Sequence, residues 1–125
     1  MRIVKFTTRN AHNELADLSD ADVDALAFGA IEMDESGKIM RYNAAEADIS
    51  GRDADDMVGR NFFTDVAPCT NNATFAGRFH EGVAEGSLDI QFSYVFDHQM
   101  SPTEVRVRLT GSRETGRYWV LVKRL

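Results

Sequence analysis

The chain holds one cysteine, Cys69, in the segment Val66-Ala67-Pro68-Cys69-Thr70-Asn71-Asn72. Proline forces the residue before it into extended geometry, so this thiol is expected on a loop and not within a helix. There it could be half exposed near backbone N–H donors and reactive, or it could be inert apolar filling, the role that composition alone favours. A cysteine hydrolase needs an imidazole within hydrogen-bond reach. His12, His80 and His98 are the only candidates, and none belongs to a recognisable local signature. Zinc is excluded because no second Cys or His stands at ligand spacing. Asp20-Ala21-Asp22-Val23-Asp24 begins like a calcium loop, but Ala25 stands where the tight turn needs glycine and Ile31 where a bidentate Glu would close the site.

A second constellation lies upstream. Tyr42, Glu46, Ser50 and Arg52 place a phenol, a carboxyl, a hydroxyl and a guanidinium where the chain leaves a strand and enters a short helix. Each has an ordinary explanation: Tyr42 as a sheet residue with a solvated hydroxyl, Glu46 as the N3 partner of a cap at Asn43, Arg52 as surface charge. Ala44, Ala45 and Ala47 surround Glu46 with small apolar groups, a setting equally suited to a buried or an exposed carboxyl.

The elements that must position these groups follow from pattern. Residues 28–34 read as a strand, Ser36-Gly37 as a turn and Ile39 to Tyr42 as the antiparallel partner. Asn43 and Asp53 cap short helices, the second ended by Gly59, and an irregular stretch runs to Cys69. Phe75, Phe79 and Val83 recur every four residues and predict one long amphipathic helix stopping at Gly86. Residues 88–96 and 105–109 alternate with period two, and Tyr118 to Val122 is a continuous β-rich run, giving three closing strands. Before all of these, residues 10–26 carry few apolar side chains, with Ser19 and Asp22 in capping-box spacing, and read as a lightly attached helical cap. The expected fold class is α+β: a five-stranded antiparallel sheet with helices on one face.

Composition sets outer limits. The 125 residues are 43% hydrophobic and 27% charged, enough for one domain that buries roughly two thirds of its unfolded surface without disulfides or a structural metal. Twenty acidic against fourteen basic residues give a net charge of −6, which opposes the phosphate binding that dominates nucleic-acid affinity. The last 25 residues reverse that sign with six basic and two acidic groups, read as alternation on solvated strand faces. No apolar run approaches the roughly 20 residues of a spanning helix. Residues 1–5 lack the apolar stretch of a signal peptide, so a soluble, reduced, cytoplasmic protein is expected.

Several segments together carry a resemblance. Ala27-Phe28-Gly29-Ala30-Ile31, Tyr42-Asn43-Ala44-Ala45-Glu46, Gly51-Arg52-Asp53, Glu81-Gly82-Val83-Ala84, Gln99-Met100-x-Pro102-Thr103 and Tyr118-Trp119-Val120 resemble the photoactive yellow protein family over the full chain. The most specific is Asn61-Phe62-Phe63-x-Asp65-Val66-Ala67-Pro68-Cys69-Thr70. The resemblance implies a PAS fold in one sensor domain, with an N-terminal helical cap over 1–26 and a core over 27–125. It implies a bacterial blue-light receptor and not an enzyme, with p-coumaric acid (4-hydroxycinnamic acid) as chromophore, joined to Cys69 by a thioester.

Carried over residue by residue, Tyr42 and Glu46 become hydrogen-bond donors to a buried phenolate. Glu46 must then stay protonated near neutral pH, an upward shift of roughly three units or about 4 kcal/mol. Ser50 stands where the family usually has Thr; it keeps the hydroxyl that orients Tyr42 and loses a methyl. Arg52 resembles the residue covering the pocket mouth. Phe62, Phe96 and Met100 complete the apolar wall, and Met100 matches a residue linked to thermal return of the isomerised chromophore. His98 departs from the expected aromatic and reads either as a solvated loop residue or as a group whose titration tunes recovery. The implied mechanism is trans-to-cis isomerisation, proton transfer from Glu46, and unfolding of the cap to expose a surface for an unidentified downstream signalling protein. A monomer without nucleic-acid or membrane partners is expected.

Overall fold

A computed structural model describes residues 4–125; the first three residues of the expected cap lie outside it. The chain opens with α1 (Ala11–Ala16) and α2 (Asp20–Asp24), followed by the hairpin β1 (Gly29–Met33) and β2 (Ile39–Tyr42). Next come α3 (Ala44–Ser50), α4 (Ala54–Met57), a π-helical turn at Phe62–Val66 and a 3-10 turn at Pro68–Thr70. A second π-helical turn, Ala73–Gly77, runs into α5 (Arg78–Glu85), and β3 (Ser87–Phe96), β4 (Thr103–Ser112) and β5 (Arg117–Arg124) close the chain.

The five strands form one antiparallel sheet in the order β2-β1-β5-β4-β3, so the first hairpin joins the closing meander through β1–β5 pairing. Alternation along the strands then divides the side chains between two layers. Ile31, Val107, Leu109, Tyr118 and Val120 face the layer built by α3 to α5 and the π turns, whose largest contributions are Phe62, Phe63, Phe75 and Phe79. Ala30, Trp119 and Leu121 point the other way and meet Phe6, Ala11, Leu15 and Val23 of the N-terminal segment.

Helices therefore cover both faces of the sheet, which corrects the one-sided arrangement expected from sequence. The reason is visible in β5, where Tyr118 to Val122 are all buried; a strand apolar on both sides needs two covers. The expectation of a lightly attached cap is also corrected. Ala11 and Leu15 are fully buried, and the buried Arg108 donates to the carbonyl oxygens of Phe6 and Thr8 at 2.9 and 2.7 Å. Few apolar residues suffice because they are aimed at one strip and supported by guanidinium bonds.

The expected single long helix is instead two segments. Gly77 N–H bonds to Asn72 O at 2.9 Å, a wider i to i−5 turn, while the Asn72 side chain accepts from Phe75 N–H at 3.0 Å. Widening that turn seats Phe75 among Phe62, Phe92 and Tyr94, with ring centroids 5.9, 5.2 and 5.2 Å away. The helix ends at Gly86, whose φ of 88° is the left-handed conformation expected of a terminating glycine. The stretch before Cys69, irregular by pattern, is the first π turn followed by the 3-10 turn that contains the cysteine.

Candidate functional site

Asn43 sets the site's frame. Its Oδ1 accepts from Glu46 N–H at 3.0 Å and Ala30 N–H at 2.9 Å, tying the start of α3 to β1. Its Nδ2 donates to the carbonyls of Val23 and Phe28, both at 3.0 Å, so the same side chain also holds the end of α2. From this anchored start, Glu46 and Ser50 stand four residues apart on one helical face, above the Tyr42 that ends β2.

Glu46 does not serve as a capping partner; its carboxyl turns inward and is 2% exposed. It lies directly over Gly29, where a Cβ would collide with Oε2, so only glycine leaves it room. Oε2 is buried without a hydrogen-bond partner. Burial pushes the pKa of Glu46 up to about 8, with Arg124 pulling weakly the other way. The group is thus a neutral acid at pH 7, with an O–H and no acceptor for it among the described residues.

The Tyr42 hydroxyl lies 2.7 Å from Ser50 Oγ, which itself donates to Glu46 O at 2.9 Å. A hydroxyl has one proton, so Tyr42 is the donor of this pair. Burial, and next the proximity of Glu46, hold the phenol above its ordinary pKa, so it too remains protonated.

Cys69 is half-buried. Its carbonyl oxygen accepts from Tyr94 Oη at 2.6 Å and Asn72 Nδ2 at 3.2 Å, which fixes the main chain carrying the thiol. Arg52 Nη2 donates to the carbonyls of Val66 at 2.9 Å and His98 at 3.4 Å, joining the first π turn to the β3–β4 loop.

All eight residues singled out from sequence for the site, Tyr42, Glu46, Ser50, Arg52, Phe62, Cys69, Phe96 and Met100, line one mostly apolar pocket. His98 lines it as well, half-buried, together with Val66 and Ala67, which sequence reasoning passed over. The Tyr94–Asn72 clamp on Cys69 was also missed; alternation in β3 put Tyr94 on the inner face but could not name its acceptor. His12 and His80 lie elsewhere, the first 3.1 Å from Thr110 Oγ1 and the second against the rings of Phe63 and Phe79. A thiol and two protonated O–H groups lining one apolar space suit a largely apolar ligand that carries an acceptor oxygen.

Residues 20–124 match the PAS fold family model. Proteins named photoactive yellow protein from Halochromatium salexigens and Rhodothalassium salexigens are 53% and 50% identical to this chain, in each case over 125 residues and the whole of both chains. The crystal structure of the photoactive yellow protein domain from the sensor histidine kinase Ppr of Rhodospirillum centenum superposes with a TM-score of 0.84 at 46% identity, covering 90% of this chain and 99% of that one. With half its residues shared over its full length and the same fold, the chain belongs to the photoactive yellow protein family, whose members are photoreceptors and not enzymes.

Proposed function

We propose that this photoreceptor senses blue light through p-coumaric acid attached to Cys69 as a thioester. The observation that carries the reading is Glu46: a buried carboxyl, neutral at pH 7 and with Oε2 unpartnered, in the same apolar pocket as the thiol. Attachment would consume the thiol, with Sγ bonding the acyl carbon of an activated ester whose leaving group departs with the thiol proton. No general base need stand beside Cys69 for later turnover. When bound, the group supplies absorption of blue light and trans-to-cis isomerisation about its vinyl bond.

The chain's own residues do the rest. Tyr42 turns its O–H from Ser50 toward an acceptor oxygen in the pocket, and the Ser50 hydroxyl is then free to support Tyr42. Glu46 holds its proton at Oε2 in the dark state. Phe62, Phe96 and Met100 exclude water, while Arg52 closes the mouth with His98 beside it. In the lit state Glu46 gives its proton into the pocket, leaving a carboxylate that burial disfavours by several kcal/mol.

That cost is relieved by releasing the smaller of the two covers on the sheet. Residues 1–26 act as a cap on the 27–125 core within one sensor domain, and Asn43 joins that cap to the helix carrying Glu46. Release of the cap presents a surface to a downstream signalling protein. We place the protein in the cytoplasm as a monomer; no helix among the described residues is long and apolar enough to cross a membrane.

The test is the absorption spectrum after reconstitution with activated p-coumaric acid. A blue band that disappears in Cys69→Ala and shifts in Glu46→Gln is expected. A chain that takes up no pigment, or takes it up equally in Cys69→Ala, overturns the reading.

A further inference from the structure

The surface beneath the cap has a definite chemistry. Its floor is Ala30, Trp119 and Leu121, all fully buried under the cap, on the two central strands β1 and β5. On one side, β4 carries Arg108, whose Nε and Nη2 are held by Asp89 of β3 at 2.8 and 2.9 Å. On the other, β2 carries Arg41, whose Nε and Nη2 are held by Glu32 of β1 at 2.9 and 3.1 Å. Both guanidiniums are thus fixed in direction by carboxylates of the sheet itself, and in both the remaining Nη1 points toward the cap. Arg108 Nη1 donates to Phe6 O and Thr8 O, and Arg41 Nη1 to Leu18 O and Asp20 Oδ1, at 2.7 to 3.2 Å.

The polarity of these bonds is one-sided. Arg41, Arg108 and Asn43 all donate from the core, and the cap supplies carbonyl and carboxylate oxygens. Charge has the same sense. The cap's described residues carry Glu14, Asp17, Asp20, Asp22 and Asp24 against Lys5 and Arg9, while residues 101–125, which contain β4 and β5, hold six basic and two acidic groups, of which Arg113 and Arg124 bond Ala84 and Asp48 on the opposite layer. If the cap leaves, the face retains an apolar strip and two oriented N–H donors, groups that are costly to leave without acceptors away from water. The next occupant must bring what the cap brings: apolar side chains along one stripe, acceptor oxygens beside it, and net negative charge.

We propose that the sheet face covered by the cap is a binding groove for an acidic amphipathic helix of a partner protein, which replaces the cap in the lit state and accepts hydrogen bonds from Arg41 and Arg108. This rests on the reading that light releases the cap. The partner is defined by that chemistry, and the cap sequence itself is its template.

The experiment uses the full-length, pigment-loaded chain with a fluorescent synthetic peptide of residues 4–26 as probe, followed by anisotropy in darkness and under continuous blue light. A second peptide carries Asp20→Lys, Asp22→Lys and Asp24→Lys, so the protein is untouched in that comparison. Binding of the acidic peptide in the light only is expected, weaker by about tenfold or more for the lysine peptide and for the protein variant Arg108→Gln. Hydrogen exchange over residues 4–26 is recorded on the same samples. Cap amides that open in the light while neither peptide binds, or both bind equally, overturn the groove and leave the photoreceptor reading standing. Cap amides that do not respond to light overturn the groove and cap release together, while the pigment reading is judged by its own spectrum. A light-induced dimer without peptide, seen by light scattering, assigns the groove to a second copy of the chain and overturns the acidic partner.

Discussion

Glu46 is the residue on which the chemistry turns, and its environment sets a pH dependence with a definite sign. The native state keeps it protonated up to about pH 8, whereas the unfolded chain releases that proton near 4.5. Its favourable contribution is complete below 4.5 and is lost as pH rises through 8, a change of about 5 kcal/mol. Urea unfolding of the pigment-free chain at about pH 5 and about pH 9 should show that loss, and Glu46→Gln should flatten it; an undiminished loss in the variant assigns the titration to another group. Gly29→Ala addresses the same carboxyl from outside. The added methyl meets Oε2, so the side chain must swing away or the strand must shift, at about 1–3 kcal/mol. The variant should titrate Glu46 closer to an ordinary carboxyl, read by infrared difference spectroscopy of the C=O stretch, and an unmoved titration contradicts the close approach.

Between elements, Asn43 connects three segments through one side chain: β1, the first turn of α3, and the end of α2. Asn43→Ala removes an N-cap and leaves buried carbonyls of Val23 and Phe28 short of a donor, which together cost about 2–4 kcal/mol. Hydrogen exchange in the dark should then accelerate over residues 4–26 more than over the closing strands. Uniform acceleration means Asn43 supports the fold generally and does not couple cap to pocket. Arg52 performs a comparable task at the mouth, where one Nη2 spans carbonyls 32 positions apart in sequence, Val66 and His98.

Taken whole, the molecule has one sheet and two unequal covers. The larger layer holds the pocket; the smaller consists of the cap, with two short helices of six and five residues resting on Trp119, Leu121 and Ala30. A domain of this size has total stability of about 5–15 kcal/mol, so a buried carboxylate costing several is enough to open its smaller layer. Blue light should therefore raise hydrogen exchange across residues 4–26 of the pigment-loaded chain while the amides of β4 and β5 stay protected. Equal exchange in light and dark would sink cap release as the signalling step.

Much of this was legible in residue order. β3 and β4 followed from period-two alternation, β5 from a continuous β-rich run, the first hairpin from its Ser36-Gly37 turn, the starts of α2 and α3 from Ser19 and Asn43, the end of α5 from Gly86, and the family from the run Asn61 to Thr70. The eight pocket residues were named from that family resemblance, while their positions alone only gathered Tyr42, Glu46, Ser50 and Arg52 where a strand leads into a short helix. The widened turn at Ala73 and the cover on the second face were not legible, because each depends on what a side chain meets across the fold.

The sequence by itself determined element order, the chemical groups available and the kind of protein, since these reside in local periodicity, capping residues and contiguous motifs. Tertiary structure decided whether those groups are buried and what they touch. Glu46 is a neutral acid because Gly29, seventeen positions away, leaves it room in an apolar interior. The cap is held because Arg108 reaches Phe6 across 102 positions. Desolvation and hydrogen-bond pairing are properties of neighbours in space, and most of those neighbours are distant in the chain.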